Sequence, residues 1–276
     1  MTIKKWIKQN TQDLSGKTIA ITGSTGGLGN EICKILAELG ASLILLNRNK
    51  QKTQMQVEKL TKITPNVHTK FLNLDMENFN TLNSVVNVLK DEKIDVLILN
   101  AGAFNLKRKT TTLGYDNIFQ INFLGPYFLT KKLLPYMNKN SKVVVVGSIA
   151  HRYTKLNEND LELKSEKNSQ KIYGNSKRLL MFSLFELFKS QKNTKLCVTH
   201  PGITQTNITS NYPKILQPLI KIGMKTIYSS PKKACLSIVK GIFDETEPLT
   251  IDKHAFLGEE YIVFMPILIN GCKIFG

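Results

Sequence analysis

A tyrosine four residues ahead of a lysine can handle protons, because on a helix that spacing sets the two side chains one turn apart. A phenol has an unperturbed pKa near ~10, and exchanging its proton near neutral pH requires a fall of about three units, on the order of 4 kcal/mol. A neighbouring ammonium favours the phenolate and supplies part of that fall. Three such pairs occur: Tyr127/Lys131, Tyr173/Lys177 and Tyr228/Lys232. Pro231 interrupts the turn that the third pair needs. Tyr173 and Lys177 open a long segment of helical pattern, "YGNSKRLLMFSLFELFKS".

A second stretch with chemical potential is "TGSTGGLG", Thr22 to Gly29, which puts four glycines between the apolar run "KTIAI" and the helical pattern "NEICKILAEL". Without Cβ atoms the backbone can turn sharply and approach a pyrophosphate closely. The helix that follows offers unpaired N–H groups and a partial positive charge to the same anion.

The elements that must position these residues alternate along the chain. Apolar strand candidates lie at 18–22, 42–46, 67–72, 95–99, 142–146 and 195–199, separated by segments of helical periodicity. Near-continuous β-branched and leucine runs are the mark of strands buried on both faces. In the first intervening helix Ile32, Ile35, Leu36 and Leu39 share a face and Gly40 supplies the stop. The pattern predicts an α/β fold: a doubly wound (Rossmann), mostly parallel sheet flanked by helices, in a single domain over 1–276. Ligands of such folds sit beyond the carboxyl ends of the strands, where the glycine-rich turn lies.

The glycine spacing is TGxxxGxG, fixed at Gly23, Gly27 and Gly29, and it resembles the short-chain dehydrogenase/reductase family. Further motifs follow in that family's order: "LNAG" (99–102), "QINFLGPYFLT" (120–130), "VVVVGSIAH" (143–151), "YGNSK" (173–177) and "HPGITQT" (200–206). The resemblance covers roughly 14–206 and leaves 207–276 as substrate lid and C-terminal segment. Its order selects Tyr173/Lys177 among the three pairs. It implies an NADP(H)-dependent oxidoreductase in which Tyr173 exchanges the proton, Lys177 lowers its pKa, Ser148 holds the substrate oxygen and Asn122 anchors a water beside Lys177. The cofactor positions it implies are Gly23, Ser24, Thr25, Gly27, Leu28 and Gly29 at the first turn, Asp75 beside the adenine, and Asn100, Ala101 and Gly102 after the fourth strand. Tyr173, Lys177, Pro201, Gly202, Ile203 and Thr206 complete that set. Within the family the look is of retinol dehydrogenase-like and protochlorophyllide reductase-like members, with departures at Asn47, where a cysteine is frequent, and at Gly147, where a serine is.

Cofactor choice turns on the end of the second strand, "LLNRNK". A carboxylate there selects NAD, whereas an arginine accommodates the extra phosphate of NADP. Asn47, Arg48 and Asn49 bring no carboxylate, so NADP(H) is favoured over NAD(H), with Arg48 as the bidentate phosphate partner.

The net charge of +17 comes from 34 lysines and four arginines against 21 acidic residues, spread along the chain without a basic block interleaved with aromatics. That distribution fits solvated lysines and speaks against a nucleic-acid partner. Cys33, Cys197, Cys235 and Cys272 lie far apart with no CxxC, against a metal site or a disulfide framework. The opening "MTIKKWIKQNTQDLSGK" lacks the apolar stretch of a signal peptide, so the expected location is cytoplasmic. Residues 211–233 mix Ile215, Leu216, Leu219, Ile220 and Ile222 with lysines, the pattern of a lid over an apolar carbonyl or alcohol substrate, with membrane contact as the lesser reading. The Tyr173 helix carries an apolar surface wider than one sheet needs, which suggests a homodimer through it and the Asn122 helix. The alternative to an enzyme is a catalytically silent NADP-binding regulatory or interaction protein of the same fold.

Overall fold

Strands form where the apolar runs lie: β1 (Thr18–Thr22), β2 (Ser42–Asn47), β3 (Thr69–Asn73), β4 (Val96–Leu99), β5 (Ser141–Val146) and β6 (Thr194–Thr199). They make one parallel sheet in the order β3-β2-β1-β4-β5-β6. The computed structural model describes residues 2–104, 106–202 and 230–245, together with the strand pair β7 (Ala255–Phe256) and β8 (Glu259–Glu260). β3 starts two residues later than the apolar pattern suggests, because Val67 N–H closes a turn onto Thr64 O at 3.1 Å.

Both faces of the sheet are covered, so its strands alternate between two cores. Ala20, Ile44, Leu97, Leu99, Val143, Val145 and Leu196 point to one. Ile19, Ile21, Leu43, Leu45, Ile98 and Val144 point to the other. The first core is closed by α4 (Phe79–Leu89), α5 (Asn117–Phe119), α6 (Gly125–Leu133) and α7 (Ser169–Phe188). The second is closed by α1 (Ile3–Asn10), α2 (Gly27–Glu38), α3 (Lys50–Ile63) and α8 (Pro231–Phe243).

Two features were not legible in the sequence pattern. The lysine-rich opening forms α1, capped by Thr2, whose hydroxyl accepts from Lys5 N–H at 3.3 Å, and it buries Trp6 to 2% exposure. Between α5 and α6 the chain takes a π-helical turn over Gln120–Leu124. That widened turn lets Gln120 Nε2 reach Met76 O at 3.1 Å and brings Gly125 against Met76.

The wide apolar surface of α7 is largely covered within the chain. Leu179, Leu180, Met181, Leu184, Phe185 and Phe188 are buried, because α7 packs on α5, the π-helical turn, α6 and β6 together. Tyr173, Phe182 and Leu187 stay partly exposed on α7, as do Tyr127 and Phe128 on α6, the two helices of the expected two-fold contact.

Candidate active site

In a parallel sheet whose order reverses between β1 and β4, the crevice lies beyond the carboxyl ends of those two strands. Gly23 ends β1 with φ +65, and a Cβ there would fall 2.9 Å from Ala101 Cα. At Gly29 a Cβ would come within 2.5 Å of Gly23 O, so α2 can begin only this close to the turn if it carries glycine there. The "LNAG" segment fastens the same turn. Asn100 Nδ2 donates to Thr22 O (3.0 Å) and Gly23 O (2.9 Å), and Ala101 N–H donates to Thr22 Oγ1 (2.9 Å).

Behind the turn lies a buried polar cluster that the sequence pattern did not flag. Ser24 faces inward, its hydroxyl donating to Gln56 Oε1 and accepting from Asn47 Nδ2, both at 2.7 Å, while Gln56 Nε2 donates to Ser24 O (2.8 Å). Asn47 Nδ2 also reaches Thr53 Oγ1 at 3.1 Å. Gln56 and Thr53 sit on the inner face of α3, where a periodicity reading looks for apolar residues. On the outer side α2 begins at Gly27 with no side-chain cap and no acidic residue in its first turn, in contrast to α3, α4 and α7, which are capped by Asn49, Asn78 and Asn168. Gly26 and Gly27 are exposed, and Thr25 and Leu28 partly so. Open glycines at an uncapped helix start fit a diphosphate group.

Arg48 is exposed just past β2 and lines a cleft of about 500 Å³ together with Glu77, Leu106, Lys107, Arg108, Lys109 and Asn117. Asn49 gives its side chain to Lys52 N–H (2.8 Å) as the α3 cap. Asp75 Oδ1 accepts from Glu77 N–H at 3.0 Å, a local turn that leaves the carboxylate partly exposed.

Farther along the crevice, Asn122, Ser148, Tyr173 and Lys177 come together from three elements. A Cβ placed on Gly102 would lie 3.1 Å from Asn122 Oδ1 and 3.3 Å from Lys177 Nζ, so both side chains converge on that glycine. Asn122, in the π-helical turn, donates from Nδ2 to Ala103 O (2.7 Å) and Ile118 O (2.8 Å), and Ala103 N–H donates to its Oδ1 (3.0 Å). Lys177 Nζ donates to Val146 O at 3.0 Å. Ser148 caps the 3₁₀ turn Ile149–Tyr153 through Ala150 N–H (3.2 Å), and its hydroxyl is near enough to the Tyr173 hydroxyl to lower the Tyr173 pKa. Phe104 meets the Tyr173 ring edge-on, centroids 5.0 Å apart.

Burial governs the ionisation of this group. It raises the Tyr173 pKa against the opposing pull of the Ser148 hydroxyl, and it lowers Lys177 to about 8. Depression of the phenol by the Lys177 charge, expected from the spacing, is therefore not what dominates, since the ammonium is committed to Val146 O and its own desolvation weakens it.

The Ser148 turn is stapled to α7 by residues the sequence reading passed over. Gly174 lets the helix approach so closely that a Cβ would lie 2.6 Å from Thr154 Cγ2 and 2.8 Å from Ala150 O. Asn175 Nδ2 donates to Lys155 O (3.0 Å), and Arg178 donates to Thr154 O (2.6 Å) and to His151 O. On the other side Ile149 N–H points at His200 Nε2 (2.6 Å) and Gly202 N–H at His200 Nδ1 (2.8 Å). Pro201 is buried and Gly202 has φ +71, whereas Ile203, Thr206, the 211–229 part of the lid and Tyr228 lie outside the described residues. Tyr127 and Lys131 sit on α6, apart from this group, with Lys131 exposed. Among the described residues no helix is long and apolar enough to cross a membrane.

The chain is similar to known proteins in sequence and in fold. A sequence profile described as short chain dehydrogenase matches residues 17–159. An uncharacterized oxidoreductase of Schizosaccharomyces pombe is 29% identical over 233 residues, covering 79% of this chain and 69% of the relative. Mouse (Mus musculus) retinol dehydrogenase 12 is 28% identical over 243 residues, covering 86% and 77%. Several other relatives are longer, and the chain spans only 52–64% of their length. In fold, the chain is similar to L-sorbose reductase from Gluconobacter frateurii, solved with NADPH and L-sorbose, with TM-score 0.62 and 18% identity over 84% of this chain and 94% of that one.

Proposed function

The chain belongs to the short chain dehydrogenase family of oxidoreductases, and on that premise we propose that it interconverts a carbonyl and an alcohol with NADP(H), using Tyr173 as general acid and base. The observation that carries this reading is the convergence of Lys177 and Asn122 on Gly102, with the Ser148 and Tyr173 hydroxyls neighbouring each other where α7 meets the 3₁₀ turn. The cofactor, when bound, supplies or accepts the hydride. The exposed glycines at the start of α2, with Asn100 and Ala101 bracing the turn, would hold its diphosphate, Arg48 its extra phosphate and Asp75 its adenine.

The chain's own residues then manage the proton. Ser148 Oγ, held by the 3₁₀ turn, would share the substrate oxygen with the Tyr173 hydroxyl. During reduction Tyr173 gives its proton to that oxygen, and during oxidation it takes one back. Lys177, with a pKa lowered to about 8, can exchange a proton near neutral pH, and Asn122 fixes the backbone of Ala103 beside it. Phe104 is 41% exposed and lies against Tyr173, which lays an apolar surface next to the reacting oxygen. That surface and the resemblance to a relative named for retinol favour an apolar substrate. A silent cofactor-binding role would most simply have dispensed with one of the four side chains, and all four are present.

Tyr173→Phe tests the reading. Turnover of a panel of aldehydes and ketones, followed by NADPH absorbance, should vanish while NADPH affinity stays within about twofold, since the lost hydroxyl faces the substrate oxygen. Retained turnover would overturn the role of Tyr173.

A further inference from the structure

Four cations line the cleft beside Arg48, and they are not equivalent. Arg108 Nε donates to Asp116 Oδ2 (2.7 Å), and its two amino groups donate to Lys167 O (2.7 Å) and Glu166 O (3.0 Å). Lys109 Nζ is 2.5 Å from Glu77 Oε2. Arg48 and Lys107 have no ion-pair partner among the described residues, and both are exposed.

The loop that carries Lys107 is nevertheless built firmly. Asn117, 2% exposed, donates from Nδ2 to Lys107 O (3.2 Å), accepts at Oδ1 from Lys109 N–H (3.3 Å), and donates its own N–H to Lys109 O (3.0 Å). A bridge between Thr110 and Asp116 closes the loop at its base. The backbone of Lys107 is therefore fixed at the cleft while its ammonium is uncommitted. Two unpaired cations facing one cleft repel each other, and an anion between them removes that repulsion. A phosphate monoester, close to doubly charged at neutral pH, suits the pair, with the planar guanidinium binding it bidentately and the ammonium acting as a point charge.

We infer that Lys107, with Arg48, forms a two-cation clamp for the 2′-phosphate of the cofactor, so that the loop after β4 helps to choose NADP over NAD. This rests on the NADP(H) reading above. It adds a second specificity-determining residue, 59 positions away from the strand end where such a residue is looked for. A free ribose hydroxyl carries no charge and leaves Lys107 without a partner, so its contribution belongs to the phosphorylated cofactor alone.

Calorimetric titration of the wild type, Lys107→Gln and Arg48→Gln with NADPH, NADH, adenosine 2′,5′-bisphosphate and adenosine 5′-monophosphate tests the clamp without any turnover. Lys107→Gln should weaken NADPH and the bisphosphate by about tenfold and leave NADH and the monophosphate unchanged, the unchanged pair also reporting an intact fold. Equal losses for all four ligands would overturn the clamp, since Lys107 would then act on nucleotides in general. A selective loss in Arg48→Gln but none in Lys107→Gln would overturn the role of Lys107 and leave the NADP(H) reading standing. A wild type that binds the bisphosphate no better than the monophosphate would overturn both.

Discussion

His200 shows how strongly single residues in this crevice are set by their surroundings. Burial and the nearby His151, Arg152 and Lys177 charges hold its pKa down to about 4. Geometry acts in the same direction. The neutral ring can accept a hydrogen bond from one of the two backbone N–H groups that face it, whereas a protonated ring would set N–H against N–H on both sides. Because the folded value is below the unfolded one of ~6.5, the unfolded chain takes up the proton first as pH falls. The stability that His200 contributes is thus complete above about pH 6.5 and is lost between there and pH 4. Urea midpoints of the wild type and His200→Asn should show the wild type losing about 2 kcal/mol more between pH 7.5 and 4.5. Parallel losses in the two proteins would refute this. At this scale the candidate catalytic side chains were legible because their types are tied to the proposed chemistry. Asn47, Gln56 and Arg178 were not, since a polar residue that bonds within the fold declares itself only through partners that are distant in sequence.

Elements carry the alignment of those side chains. Ser148 and Tyr173 meet because α7 lies directly on the 3₁₀ turn, a contact that depends on the missing side chain at Gly174. Gly174→Ala should lower stability by about 1–3 kcal/mol, because one blocking atom is a backbone carbonyl that cannot swing away. Thr154→Ser added to it removes the Cγ2 clash but not the Ala150 O contact, and should restore only part of the loss. Chemical denaturation of the three proteins decides the matter, and an unchanged midpoint in Gly174→Ala would show that the two elements have room to part. Six strands and their intervening helices were readable from apolar runs because both faces of the sheet are buried. The π-helical turn was not, since a single widened turn has no periodic signature of its own. Nor was burial of Lys142 at the head of β5, whose ammonium caps the end of α8 through Ile242 O (2.8 Å) and Asp244 O (2.5 Å).

Over the whole molecule, two cores share one sheet, and the first of them absorbs most of the apolar surface of α7. Toward the C-terminal half of that helix only Phe182 and Leu187 are left partly exposed among the apolar side chains, a small area for a two-fold contact through α7 alone. At micromolar concentration the protein should sediment as one 31.1 kDa chain. A species of twice that mass, dissociated by charge placed at Leu187, would restore the dimer reading. The clasp between Asn100 and the glycine turn has a different kind of consequence. Asn100 reaches back 77 positions to Gly23 O, and β4 must be present before it can do so. At synthesis rates of roughly 5–20 residues per second, the first turn would spend several seconds outside the ribosome before Asn100 could reach either carbonyl. β1, β2 and β3 can pair during that interval, but the glycine turn of the nascent chain stays unbraced. Any rescue of folding by added nucleotide should therefore begin only after the fourth strand has emerged, which makes the clasp a timer as well as a brace.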